Sequence, residues 1–331
     1  MTSHTALAEF VRILGRGPGR SRSLTQDEAS AAMQIMLTGQ AAPQAVGAIL
    51  MLMRMKGEVA AEIAGFAAAA RDFLNASTDM TNVRVDLDWP CYAAGRTRGL
   101  PWFLLSAKLV ACTGTRVLLH GWNGKDPAIR TGLDHLCIPV VQDFASVNAA
   151  LDRHNIAYLP LENAYLTLFN LLNLRDILGL RSCINTVCRM LNPAGAPDSV
   201  QGVFHPPYRL LQADAAALLG WRNLTVIKGG GGEFERHPGK VIDAFGLRAG
   251  AVWQEDIPAI SDDKRKLSDL ELPYEALTDL WQNGVDVSDG FATDLVLGTA
   301  DLALETIGHG HGAAELWQAR HGAAASSPAS A

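Results

Sequence analysis

Apolar residues along the first seventy-five positions recur at helical spacing and show no sustained alternation. Leu7, Phe10, Val11 and Leu14 make one i, i+3, i+4, i+7 face, which ends at Gly15 and the Gly17-Pro18-Gly19 loop. Thr25 and Glu28 form a T-x-x-E capping signature opening a second helix through Met33, Met36 and Leu37, stopped by Gly39. Pro43 starts a third, with Val46, Ile49, Leu50 and Met53 inward and Gly57 at its end. A fourth runs from Val59 to about Leu74 around Ile63, Phe66 and the small residues 67–70. Four short helices with short links predict a small bundle, and the methionine stripe reads as core filling.

From about Val83 the period changes. Val83, Val85 and Leu87 alternate as a strand that enters a loop rich in Gly and Arg, and a helix follows from Pro101 to Cys112. The next strand, 116–119, ends at His120-Gly121, and further strands are predicted at 138–141, 157–160, 200–204 and 224–227 with helical stretches between them. This alternation predicts α/β layers with a largely parallel sheet flanked by helices. The organisation expected is a helical N-terminal domain over 1–76, an α/β domain over 80–321, and a disordered tail over 322–331. The apolar helical segment from about 163 to 190 is assigned to the bundle side.

The chain has 331 residues, 48% hydrophobic and 19% charged, which excludes disordered and collagen-like classes. Its longest apolar run, 45–53, is too short to span a bilayer, so no membrane partner is expected. No basic segment leads into an apolar stretch at the N-terminus, and the five cysteines include no C-x-x-C pair. A cytoplasmic protein with reduced thiols is the expectation. The formal net charge of −6 argues at first against a polyanionic partner, but it is unevenly spread. Between Glu255 and Glu305 stand 13 acidic residues against Lys264, Arg265 and Lys266, whereas the remainder carries 25 basic and 21 acidic residues. An acidic C-terminal third therefore masks a mildly basic body.

Three loops carry candidate chemistry. Cys91-Tyr92-Ala93-Ala94-Gly95-Arg96-Thr97-Arg98-Gly99 follows a strand and precedes a helix, where open α/β sheets bind ligands, and its two guanidiniums suit phosphate. His120-Gly121 closes the next strand toward the same crevice. Gly229-Gly230-Gly231-Gly232 follows a strand ending in Lys228, so its backbone N–H groups are phosphate-cradle candidates, although it matches neither the P-loop nor the dinucleotide fingerprint. Taken alone, that turn is read first as a flexible connection. Gly15-Arg16-Gly17-Pro18-Gly19-Arg20-Ser21-Arg22 adds a third Gly/Arg loop in the helical part. His309 and His311 have no partner at ligand spacing, and no nucleophile elbow or zinc-protease motif is present.

In order along the chain, the bundle, the Gly-rich loop, His120-Gly121, Arg175-x-x-Leu178-Gly179-x-Arg181, Asn192-Pro193 and the late Gly-rich turn resemble the anthranilate phosphoribosyltransferases. These belong to glycosyltransferase family 3, within the class II nucleoside-phosphorylase superfamily, and the resemblance covers residues 5 to 310. It implies a class II nucleoside phosphorylase/phosphoribosyltransferase-like fold and a homodimer. It also implies that Arg175 meets an acceptor carboxylate and that His120, Arg181 and Asn185 are retained site residues.

The departures fall at the diphosphate and metal positions. The family's G-T-G-G-D loop reads Tyr92-Ala93-Ala94-Gly95-Arg96, with arginine in place of the aspartate. Its D-G-x-D-E turn, whose acids hold Mg²⁺, reads Gly231-Gly232-Glu233-Phe234-Glu235, and Arg189 is gained before Asn192-Pro193. Loss of hard carboxylate ligands argues against the standard reaction. The pattern is similar to the YbiB-type branch, which keeps the dimeric fold and binds DNA and RNA without sequence preference. The expectation is accordingly a non-sequence-specific nucleic-acid binder tolerant of single strands, with no cofactor. Its contacts are assigned to Arg16, Arg20, Arg22, Tyr92, Arg96, Arg98, His120, Arg175, Arg181, Arg189 and Lys228, with Trp102 or Trp122 as further stacking candidates. The alternative is a glycosyl or phosphoribosyl transferase with a non-standard substrate, which alone would call for Mg²⁺.

Overall fold

The computed structural model describes residues 5–17, 19–77, 83–93, 99–122, 124 and 126–325. Helices α1 (Ala8–Gly15), α2 (Gln26–Leu37), α3 (Pro43–Lys56) and α4 (Ala60–Ser77) form the N-terminal bundle. The capping box at α2 is made as its sequence predicts: the Thr25 side chain accepts from Glu28 N–H while the Glu28 carboxylate accepts from Thr25 N–H. Proline at the first position of α3 suits a site whose N–H has no intrahelical partner. Glu62 is fully buried and takes two more orphan donors, the N–H groups of Leu24 (2.9 Å) and Val59 (3.0 Å).

The α/β part runs β1 (Leu87–Cys91), α5 (Phe103–Ala111), β2 (Val117–Gly121), α6 (Ala128–His135), α7 (Phe144–His154) and β3 (Ile156–Pro160). The chain then returns to the bundle as α8 (Leu161–Ala164), α9 (Leu166–Asn173), α10 (Arg175–Leu178) and α11 (Ile184–Arg189). It re-enters the sheet as β4 (Asp198–Val203), α12 (Pro207–Leu218), β5 (Asn223–Lys228), β6 (Ile242–Arg248) and β7 (Ala251–Ile257), and closes with α13 (Glu275–Asn283), α14 (Phe291–Thr306) and α15 (Ala313–Ala325). Strand order is β3-β2-β1-β4-β5-β6-β7, parallel from β3 through β5, with β6 and β7 as an antiparallel hairpin at one edge.

Strand residues sort onto two faces with period two. Leu118, Ala157 and Leu159 join the core shared with the bundle, while Leu87, Trp89, Val117, Leu119, Ile156 and Tyr158 join the core under α5 and α14. Tyr165 Oη donates to the Ala70 carbonyl (2.7 Å), and Leu178 reaches Gly47, so the 161–189 helices are locked onto α3 and α4.

Several boundaries differ from the sequence reading. The first strand is Leu87–Cys91 rather than 83–87, because Asp88 and Pro90, polar and ring-locked on paper, sit in register with Leu118 and His120. Only Val140 bridges within 138–141. The hairpin β6–β7 escapes the pattern because β7 lies at the sheet edge with little of it buried, so its side chains do not alternate cleanly. Helix α15 continues through Ala325, past Gly322, since an alanine run is a strong helix former.

Candidate functional site

Strand order reverses between β1 and β4, so a crevice opens beyond their carboxyl ends. Three chain segments meet there: Tyr92-Ala93 after β1, Phe204-His205 after β4, and the glycines after β5. Gly202 and Gly229 have a steric reason to be glycine. A Cβ on Gly202 would lie 2.0 Å from the Glu233 carbonyl carbon, and one on Gly229 would lie 1.6 Å from the Glu233 oxygen. The Gly-rich turn is a packed element rather than a flexible link or an open phosphate cradle. Gly229 N–H donates to Val203, Gly230 N–H to Glu235 (2.9 Å) and Gly232 N–H to Gly229.

Several predicted contact residues lie inside the protein. Tyr92 and His120 are buried, and Tyr92 Oη stands 3.0 Å from His120 Nδ1. Burial pushes the Tyr92 phenol far up, so it keeps its proton and donates; His120 Nε2 then faces Asp88 Oδ1 at 3.0 Å. Ser199 Oγ donates to the other Asp88 oxygen at 2.8 Å. Neither ring is presented to a ligand, and Trp102 is likewise core. Trp122 is half-buried, edge-on to Phe169. Arg189 is buried: its Nε donates to the Gly202 carbonyl (3.0 Å), Nη2 to Gly232 (3.3 Å) and Nη1 to Asn185 Oδ1. It fixes the crevice floor instead of offering a free fork. Arg96 and Arg98 lie outside the described residues. Arg16 and Arg20 are exposed on the loop after α1, outside both clefts described next, and Arg22 is paired with Glu28 at 2.6 Å.

What the fold does assemble is a cavity of about 370 Å³ between bundle and sheet, walled by Arg54, Arg175, Arg181, Arg189, Asn185, Phe204, His205 and Tyr208 among others, with no carboxylate in its lining. Arg54, from α3, was not legible as a site residue; its Nη1 donates to the Arg181 carbonyl (2.8 Å), which draws the bundle to the α10–α11 link. Partial burial, then the guanidiniums of Arg175, Arg189 and Arg54, push Arg181 below its ordinary value. A second cleft of about 500 Å³ adjoins it, sharing Phe204 and His205, with Lys228, Lys240, Lys266 and Arg209 in its lining and Asp243 its single acid. Arg209 is neutralised by that acid at 2.9 Å.

Residues 8–74 match the helical bundle domain of the glycosyl transferase family. The anthranilate phosphoribosyltransferase of a Roseiflexus species is 31% identical over 241 residues, spanning 70% of this chain and 67% of that protein. The chain belongs to the anthranilate phosphoribosyltransferase family. The enzyme from Geobacillus kaustophilus is 26% identical over 301 residues, 88% of this chain and 84% of its own. Among solved structures, the Thermus thermophilus enzyme superposes with a TM-score of 0.72 at 20% identity, covering 97% of this chain and 94% of that one. The yeast enzyme in complex with PRPP and Mg gives 0.74 at 16% identity, over 96% and 93%. These likenesses carry the fold: a small helical domain and a mostly parallel α/β sheet.

The metal position of the family does not fit Mg²⁺ here. Glu233 is buried and its Oε1 accepts from Ala93 N–H (2.9 Å); Glu235 is buried and its Oε2 accepts from Phe103 N–H (3.0 Å), at the first residue of α5. Phe234, where the family's turn has one of its two metal acids, is edge-on to Trp89 at 5.4 Å between centroids. The two carboxylates thus hold the loop after β1 and the start of α5. Elsewhere, His311 pairs at 3.0 Å with Glu315, a carboxylate one helical turn on, contrary to the expectation that none lies at ligand spacing, and no group of three His, Cys, Asp or Glu among the described residues could hold a metal ion. No described helix is long and apolar enough to cross a membrane.

Proposed function

We propose that the protein is a glycosyl or phosphoribosyl transferase acting with a non-standard substrate, whose anionic group is held in the cavity walled by Arg54, Arg175 and Arg181 above the Arg189 floor. The observation that carries this is the acid-free lining itself. Arg54, Arg175 and Arg181 converge with Arg189 in a space of about 370 Å³, the scale of a small metabolite rather than a protein segment. Planar guanidiniums match carboxylate or phosphate oxygens bidentately, and desolvation strengthens each pair. Neutralisation that a divalent cation supplies elsewhere in the family falls here to arginine and lysine.

Calorimetry with inorganic phosphate, pyrophosphate, phosphoribosyl pyrophosphate and aromatic carboxylates tests it, alongside release of phosphate or pyrophosphate with and without Mg²⁺. Binding that survives chelation and weakens at least tenfold in Arg181→Gln is expected. No binding and no turnover with every one of these compounds would rule the reading out.

A second reading, binding of DNA or RNA without sequence preference, is favoured by the junction of the two clefts, which carries cationic lining past a small pocket. Fluorescence anisotropy with a single-stranded oligonucleotide would then show affinity falling steeply with salt, and further in Arg181→Glu. Salt-independent binding, or none, rejects it.

A further inference from the structure

The partition between the two clefts is an aromatic edge. Phe204 remains 47% exposed although it leaves a strand whose other residues are largely buried, and its ring meets the His205 ring edge-on at 4.9 Å between centroids. A solvent-facing phenyl at this point has no packing reason: its Cβ lies over Gly232, and the ring projects into both clefts. On one side of it stand the guanidiniums. On the other stand Lys228, Lys240 and Lys266, all exposed.

The position of Lys266 is built. Its strand-like approach is clamped by Arg265, whose guanidinium pairs with Asp263 (2.6 Å) and lies over the Phe291 ring, and whose carbonyl faces His237 Nε2 at 2.9 Å. Leu267, the next residue, is buried against Gly99 and Gly230. Lys266, the last residue of the basic triplet 264–266, is thereby fixed at the rim of the crevice.

We propose that the lysine cleft is a second anion subsite and that Phe204 is the platform for a planar ring, so that the crevice takes a nucleoside phosphate. The base stacks on Phe204 and the phosphates lie among Lys228, Lys240 and Lys266. Stacking on an exposed aromatic tolerates any base, since each has a π face, and ammonium groups hold phosphate as point charges. This rests on the anionic-ligand reading above and names the chemistry of that ligand. A free nucleotide and a nucleic-acid strand share it.

Calorimetry on the full chain separates the possibilities, with adenosine diphosphate, pyrophosphate and a 5′-phosphorylated twelve-residue oligothymidylate as probes. Adenosine diphosphate is expected to bind at least tenfold tighter than pyrophosphate. Phe204→Ala should remove that advantage and Phe204→Trp restore it, with pyrophosphate affinity unchanged in both. Lys228→Gln/Lys266→Gln should weaken both small probes about tenfold while the melting temperature stays within a degree or two of the parent. Tighter binding of the oligothymidylate than of adenosine diphosphate assigns the site to a strand; the reverse assigns it to a free nucleotide. Equal affinity for adenosine diphosphate and pyrophosphate, or an unaltered Phe204→Ala, overturns the proposal. Pyrophosphate binding lost in Arg181→Gln but kept in the lysine variant overturns the second subsite alone and leaves the arginine cavity standing. No binding of any probe by the parent chain removes both.

Discussion

Tyr92, Arg181 and Glu28 show three different uses of a polar side chain. Tyr92 was a candidate for stacking on bases, yet its hydroxyl holds His120 from inside the protein. Tyr92→Phe therefore strands a buried imidazole nitrogen, at a cost of about 1–3 kcal/mol in stability. Chemical denaturation should report that loss while anion affinity stays at the parent value. Arg181, by contrast, is partly buried beside the guanidiniums of Arg175, Arg189 and Arg54. Glu28 gives a third case at the surface. Its hydrogen bonds from Arg22 come first in holding the carboxyl down from its ordinary 4.5 to about 2. A carboxyl depressed on folding stabilises above its unfolded value, so this contribution is complete above 4.5 and fades as pH falls toward about 2. Thermal melts of Glu28→Gln should lie below the parent at pH 7 and converge with it across that window.

At the scale of elements, the recurring device is a buried glutamate closing a helix or loop by accepting backbone N–H groups: Glu62, Glu233 and Glu235 all do so. Glu235→Ala leaves Phe103 N–H without its carboxylate at the start of α5 and should cost about 1–3 kcal/mol. Gly202→Ala, with its Cβ 2.0 Å from the Glu233 backbone, should cost about 3 kcal/mol or more, or abolish soluble expression. Differential scanning calorimetry measures both. The four bundle helices and the α2 capping box were legible because helical periodicity and cap chemistry are local. The carboxylate caps were not, since Glu235 meets Phe103 across 132 positions and nothing near either residue announces it. Glu233 and Glu235 looked like a depleted metal site, and only their direction shows what they hold.

For the whole molecule, the uneven charge noted in the sequence becomes a location. The acidic third supplies β7, α13 and α14, while the cations of the crevice come from α3, α10 and the link after it, α11, α12, the end of β5, the approach to β6 and one strap at Lys266. That convergence was half legible. Arg175, Arg181 and Lys228 could be named from motifs, but Arg54, Lys240 and Lys266 come from elements that only the fold brings near. Because the Glu233 and Glu235 carboxylates face backbone donors, millimolar Mg²⁺ should leave the melting temperature unchanged, whereas pyrophosphate should raise it. A magnesium-dependent rise of several degrees would contradict the arrangement.

The strand order has one further consequence, for how the chain is made. Helix α4 finishes at Ser77, but two of the surfaces it packs against, α11 and α12, end at Arg189 and Leu218, and Leu87 pairs with Asp198. At about 5–20 residues per second, the apolar sides of the bundle wait on the order of ten seconds or more on the ribosome before their partners exist. Early release of a truncated chain would expose them, so the first seventy-seven residues expressed alone should aggregate, and the nascent chain is a natural client for chaperones during that interval.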